Sequence, residues 1–178
     1  MPIVGALITR NARALRMPQR NQNPAEQFHA VESLLTNWLS ERRAVLARYT
    51  ALVVASDDLP GSASITQRQR QLCELLVDYV SVGHFEVYNE LLHEAEAFGD
   101  DGSALAAKLI GDIADTTDVI LAYEQKYGSG DQYPETLVRD LSALGELLES
   151  RFVLEDRLIA GLHSNHRRQM QEAPEGTG

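Results

Sequence analysis

Cysteine is almost absent from the sequence: among 178 residues there is one, Cys73. A single thiol cannot form an intramolecular disulfide or supply a cysteine-based zinc site. Long apolar runs are also missing, because the run at residues 3–8 is far shorter than the ~18 residues that cross a membrane. These absences exclude a disulfide-stapled mini-protein and a membrane span, and they argue against a secretory signal peptide. We therefore expect a cytoplasmic protein.

Positive charge is in the minority, and lysine is especially scarce. Sixteen lysines and arginines stand against 26 acids, which gives a formal net charge of −10, and only Lys108 and Lys126 are lysines. Residues 1–22 hold four arginines and no acid, so they carry +4, and the total of −10 leaves −14 for the rest of the chain. A field of that sign repels nucleic acid and attracts basic surfaces. We expect no direct DNA binding.

Apolar residues recur with the 3.6-residue period of helices, and no stretch shows the strict alternation of a strand. Asn23, Pro24 and Glu26 form a helix start, because asparagine caps free N–H groups, proline fits the first turn and glutamate completes a capping box. Four long helical units follow, the second broken near Gly83 and the last opened by Pro134. Short connections favour antiparallel neighbours, so the pattern predicts an all-α, up-down-up-down four-helix bundle.

The bundle is expected to lie between two unstructured ends. Residues 1–22 are rich in arginine and asparagine without a sustained period, which is typical of a basic, disordered arm rather than a transit peptide. Residues 169–178 are expected to be a flexible tail. Residues 23–168 therefore form the single helical domain.

Two Glu-x-x-His elements, Glu26 to His29 and Glu90 to His93, raise the possibility of a metal site. Paired motifs of this kind build di-metal carboxylate centres with redox or oxygen chemistry in helical bundles. Against this alternative, Glu26 is already explained as part of a cap, and Glu90 and Leu91 cannot both face the core. There is also no Gly-rich phosphate loop and no Gly-x-Ser-x-Gly elbow. We expect no cofactor and no enzymatic activity.

Glu155 falls at a position where the last helix should face the core, after Leu148 and Phe152 on the same stripe. A carboxylate there must be paired or hydrogen-bonded, because an unpaired buried charge is costly. The facing stripe carries three polar side chains that could satisfy it: Tyr79, His84 and Tyr88. We interpret these four residues as a buried polar network that fixes helix register rather than as a ligand pocket.

Gln71, Glu74 and Asp78 line up on the second helical unit, opposite its apolar stripe. They should face outward. Two interpretations remain open at this point: an ordinary solvated face, or an acidic contact strip for a basic partner.

Two segments resemble a known family. The run DYVSVGHFEVYNELLHEAE at residues 78–96 and the run ESRFVLEDRLI at residues 149–159 resemble the two signature segments of the regulator of sigma D family, the Rsd/AlgQ-type anti-sigma factors. Trp38-Leu39 followed by Arg42-Arg43 is similar to that family's first-helix pattern. The resemblance extends over about residues 25–165, with both segments in the right order.

The resemblance implies a helical bundle that binds the C-terminal, −35-recognising domain of the primary sigma factor. Sequestering that domain would help to free core RNA polymerase for alternative sigma factors. In this family pattern Asp78 is similar to the carboxylate that meets a basic sigma residue, and His84, Tyr88 and Glu155 look like the interior. A phosphocarrier protein or an alarmone enzyme as a further partner is compatible with the resemblance, but no residue supports it.

Overall fold

The computed structural model describes residues 23–58 and 62–173, and every regular element in these ranges is helical. The prediction of an all-α protein is confirmed for this part of the chain. The expected arm at 1–22 and the last five residues of the expected tail lie outside it. The elements are α1 (Pro24–Asp58), α2 (Ala63–Val82), a π-helical turn (Gly83–Val87), α3 (Tyr88–Phe98), α4 (Ser103–Tyr127), α5 (Pro134–Gly161) and α6 (His163–Glu172).

Local chemistry fixes several helix ends. The Asn23 side chain accepts a hydrogen bond from the Ala25 backbone N–H at 3.0 Å, as its cap position predicts. Ser62 caps α2 by accepting from the Ile65 N–H. Helix α3 ends at Gly99, whose φ of 64° lies in the left-handed region that glycine adopts without strain.

The expected break at Gly83 is a π-helical turn that joins α2 to α3 without ending the helix. The Tyr88 N–H donates to the Gly83 carbonyl five residues earlier, which is the hydrogen bond of a π-turn. Gly83 is required by packing, because a Cβ atom there would lie 2.9 Å from Cζ2 of Trp38. The sequence therefore predicted an irregularity at the right residue, but the helical rod continues through it.

The core lies between four long helices. Helix α1 packs on α2, α2 packs on α4, α4 packs on α5, and α5 packs back on α1. At the centre, Trp38 stacks on Tyr79 with ring centroids 5.0 Å apart, and its indole N–H donates to the Tyr79 carbonyl at 3.2 Å. Burying aromatic rings of this size contributes strongly to stability, and the polar indole edge keeps a partner.

Helix α6 extends beyond the expected end of the domain at residue 168. It runs to Glu172 and contacts α1, α3 and α5. Residues 169–172, which were expected to begin the flexible tail, are helical, and the flexibility of the tail stays a prediction. Within the described ranges no helix combines the length and apolar character needed to cross a membrane.

Candidate functional site

The predicted contact strip lies on the outer side of α2. Glu74 and Asp78 are exposed, while Leu72 and Leu76 on the same helix are completely buried. Gln71 is half-buried, and its side-chain oxygen accepts a hydrogen bond from Nη1 of Arg48 on α1, at 2.8 Å. The two carboxylates are therefore available to a partner, and Gln71 is occupied within the protein.

Sequence reasoning missed two further carboxylates: Glu41 on α1, which feels the charge of Asp78, and Glu86 in the π-turn. Burial, together with the negative charges of Asp78 and Glu86, raises the pKa of Glu41 on α1. Its Oε2 atom is buried and has no hydrogen-bond partner within the described residues. We call Glu41, Glu74, Asp78 and Glu86 the acidic face. The position of Glu41 depends on how α1 is rotated against α2. The apolar pattern of a single helix gives no information about that rotation.

Glu155 is completely buried on α5 and accepts hydrogen bonds from both predicted tyrosines. The Tyr79 hydroxyl donates to Oε2 at 2.5 Å, and the Tyr88 hydroxyl donates to Oε1 at 3.2 Å. Burial and the nearby Glu155 charge raise the pKa of both tyrosines, so they stay neutral donors. The structure thus brings three of the four predicted network residues into direct contact.

Two arginines complete this buried polar network. Nε of Arg151 donates to Glu155 Oε1 at 2.8 Å, and Nη2 of Arg42 donates to Oε2 at 3.1 Å. Arg151 also donates through Nη1 to Thr117 at 2.8 Å and Thr116 at 3.0 Å on α4. Every oxygen of the carboxylate is satisfied, so its burial is compensated. Arg151 was detectable from sequence, because it lies four residues before Glu155 on the same face of the helix.

His84 does not join this network. It is half-buried in the π-turn, and its ring stands edge-on to those of Phe85 and Tyr88, 6.3 Å from the latter. Within the described ranges no hydrogen bond links it to Glu155. The sequence predicted an irregularity at Gly83 but not its form, and a π-turn changes the rotation of the residues that it contains.

The two Glu-x-x-His elements are occupied elsewhere or exposed. Glu26 and His29 are exposed on α1, and Glu90 on α3 accepts a hydrogen bond from Gln27 at 2.8 Å. His93 lies 3.6 Å from Glu90, its own helical neighbour. In residues 23–58 and 62–173, no three histidine, cysteine, aspartate or glutamate side chains are arranged to hold a metal ion.

A family model described as "Regulator of RNA polymerase sigma(70) subunit, Rsd/AlgQ" matches residues 17–163, which is most of the chain. The chain belongs to this family. The Rsd/AlgQ family is a family of sigma-factor regulators, so the resemblance of the two signature segments is confirmed. Both the acidic face and the buried polar network lie inside the matched range.

Relatives with curated names agree with the family match. Proteins named "Regulator of sigma D" from Shigella boydii serotype 4 (strain Sb227) and from Escherichia coli (strain K12 / DH10B) are each 36% identical to this chain over 148 residues. The matches cover 77% of this chain and 88% of each relative. No solved structure gives a significant match.

Proposed function

We propose that this protein is an anti-sigma factor that binds the C-terminal, −35-recognising domain of the primary sigma factor through its acidic face. Binding would sequester that domain from core RNA polymerase and from the promoter. Its place of action would be the cytoplasm, where transcription takes place.

The observation that carries this proposal is the grouping of carboxylates around exposed Asp78. Burial is the largest cause of the raised pKa of Glu41, and repulsion from the negative charges of Asp78 and Glu86 adds to it. A cation brought by a partner would relieve this repulsion. A domain that reads promoter DNA carries a basic surface, because its contacts with phosphates come largely from arginine and lysine. An acidic protein that covers such a surface competes directly with DNA.

The buried polar network supports the same proposal indirectly. It ties α5 to α1, α2 and α4 through hydrogen bonds with no unpaired charge at Glu155. A rigid α1–α2 pair keeps the acidic face in one geometry before binding, which lowers the ordering cost of association. The expected antiparallel, up-down-up-down order of four long helices belongs to this proposal too. Short connections, such as the six residues between α4 and α5, favour it.

The proposal is tested by fluorescence anisotropy of a labelled sigma C-terminal domain titrated with the full chain at two salt concentrations. We expect saturable binding that weakens as salt rises, because rim charges assist the association. Asp78→Asn should weaken binding about tenfold, the size typical of an interface anchor.

Asp112→Asn provides the matched control, because Asp112 is an exposed aspartate on α4, and the substitution removes the same charge. The control should bind like the original protein. Equal loss in both variants would show that only net charge matters, and it would remove Asp78 from the interface. Absence of binding at both salt concentrations would overturn the proposed function itself.

A further inference from the structure

Two buried histidines and a buried glutamate meet where α6 crosses α3. His163 and His166 lie one helical turn apart on α6 and are 2% and 0% exposed, and Glu94 on α3 is 0% exposed. The Glu94 carboxylate bridges the two rings. Its Oε2 lies 2.8 Å from Nδ1 of His163, and its Oε1 lies 2.5 Å from Nδ1 of His166.

The second nitrogen of each ring also meets a carboxylate. Nε2 of His163 lies 2.5 Å from Oε2 of Glu32 on α1. Nε2 of His166 lies 2.9 Å from Oδ2 of Asp100, in the turn after α3. Arg167 on α6 completes the group, because its Nη2 donates to Glu32 at 2.6 Å. We call Glu32, Glu94, Asp100, His163, His166 and Arg167 the histidine cluster.

Aromatic rings cover both histidines. Phe28 on α1 stacks on His163 with centroids 4.4 Å apart and an interplanar angle of 11°. Phe98 on α3 stacks on His166 at the same distance with an angle of 7°. One face of each imidazole is therefore covered by an apolar ring, and both ring nitrogens contact carboxylates.

The two contacts of His163 decide the charge state of its ring. A neutral imidazole has one N–H donor and one acceptor nitrogen, whereas an ionised carboxylate only accepts. A neutral His163 would direct a lone pair at Glu94 or Glu32. With the ring protonated, both contacts become charge-assisted hydrogen bonds.

The environment of His163 agrees with this assignment. Burial lowers the pKa of His163, but the hydrogen bonds with Glu94 and Glu32 outweigh it, and the net shift is upward. The hydrogen bond with His163 correspondingly lowers the pKa of Glu32.

We propose that His163 becomes imidazolium when α6 docks, so that the histidine cluster is a proton-dependent latch for the C-terminal helix. Loss of this proton would direct a ring lone pair at the carboxylate of Glu94 or Glu32 and would release α6 from α1 and α3. The faces of Phe28 and Phe98 would then become exposed. Glu32, Glu94, Asp100 and His163 lie within the residues that match the family, and His166 and Arg167 lie beyond them.

Nitrogen NMR of the imidazole rings in the full chain tests the charge state without any substitution. We expect both nitrogens of His163 to be protonated near pH 7, and we expect the ring to lose one proton as pH rises. The backbone amide signals of α6 should shift in the same titration, because the helix undocks. A neutral tautomer of His163 near pH 7 would overturn the proposal.

Equilibrium unfolding over a pH series gives an independent test. If folding takes up one proton at His163, its equilibrium constant should fall about tenfold per pH unit above the unfolded histidine pKa of ~6.5, until the folded-state value is passed. His163→Phe keeps a ring stacked on Phe28, leaves His166 as the partner of Glu94, and should abolish this part of the slope.

His93→Gln is the control, because this α3 histidine is partly exposed and outside the cluster. It should keep the full pH dependence. An unchanged slope in His163→Phe, or a slope lost in the control, would contradict the latch. If His163→Phe fails to fold, the NMR measurement on the original protein still decides the question.

Discussion

Arg151 and Glu155 lie one turn apart on α5 with both side chains completely buried, and Nε of the arginine is 2.8 Å from Oε1 of the glutamate. Each of them also has partners on other helices: Tyr79 on α2 donates to Glu155, and Arg151 donates to Thr117 on α4. The pair therefore acts as a polar junction that joins α5 to α2 and α4, and also to α1 and α3 through Arg42 and Tyr88. Removing either partner should lower the free energy of unfolding strongly, because the other charge would be left buried without its partner.

Arg151→Met should destabilise the protein by about 3–5 kcal/mol, because the substitution removes one member of a buried ion pair and leaves the other. Urea unfolding followed by circular dichroism measures the change. Arg157→Met is the matched control, since Arg157 is exposed on the same helix and its replacement should stay within about 0.5 kcal/mol. Equal stability of the two variants would show that Arg42 alone compensates Glu155.

Two glycines inside helices should respond in opposite directions to alanine. Gly83→Ala places a Cβ 2.9 Å from Trp38 and should destabilise by about 1–3 kcal/mol, as overpacking does. Gly111 on α4 is exposed and has no atom within 4 Å of an added Cβ, so Gly111→Ala should stabilise by about 0.5–1 kcal/mol. Thermal melting of both variants tests the pair. A stabilising Gly83→Ala would mean that Trp38 has room to move.

Asp140 on α5 should stabilise the protein at neutral pH and cease to do so in acid. Burial alone raises the pKa of this carboxyl, but hydrogen bonds from Lys126, Tyr127 and Arg139 outweigh it and lower the pKa to about 2. Because the folded pKa lies below the ordinary value of 3.8, the stabilisation is present above pH 3.8 and is lost as pH falls toward 2.

Asp140→Asn should therefore cost about 1 kcal/mol near neutral pH, a value reduced by solvent screening of the partly exposed lysine. The difference from the original protein should shrink below pH 3.8. Urea midpoints measured across this range, with Asp112→Asn as the exposed control, give the answer. A difference that stays constant down to pH 2 would assign the effect to packing.

The Cys73 thiol should be inert in the folded protein. Burial, with smaller effects of the Glu124 and Glu74 charges, raises its pKa to about 12, and the thiolate is the reactive form. Because Cys73 is the only cysteine, a thiol reagent at mildly alkaline pH reports on it alone. Labelling should be at least about 100-fold slower in buffer than in concentrated urea. Rapid stoichiometric labelling of the native protein would show that α2 opens locally at this residue.

Much of the fold follows from short-range information. The period of the apolar residues was enough to predict the helices. Asn23 was recognisable as a cap because an asparagine at this position can accept from the free N–H groups of the first turn, as it does from the Ala25 N–H. The meeting of Tyr79, Tyr88 and Glu155 was also predictable, since each falls on a core-facing stripe. Their contact with Arg42 was not, because it depends on how α1 is rotated about its own axis against α5.

The histidine cluster was missed for a different physical reason. Helix α6, with the sequence HSNHRRQMQE, has almost no apolar residues, so its sequence is typical of a solvated tail. Ion pairs with Glu32, Glu94 and Asp100, which are distant in the sequence, hold it instead. Such pairing between distant segments leaves no periodic pattern.

The π-turn has a consequence for the buried carboxylate. Tyr79 and Tyr88 are nine residues apart, and in an uninterrupted α-helix they would point in opposite directions, about 180° apart. One additional residue in the turn reduces this to about 80°, as if only eight helical steps separated them. Both hydroxyls can then reach one carboxyl group from a single continuous rod. A one-residue deletion between Gly83 and Val87 would restore regular geometry and keep both tyrosines on the side of Glu155, whereas a one-residue insertion would turn Tyr88 away from it.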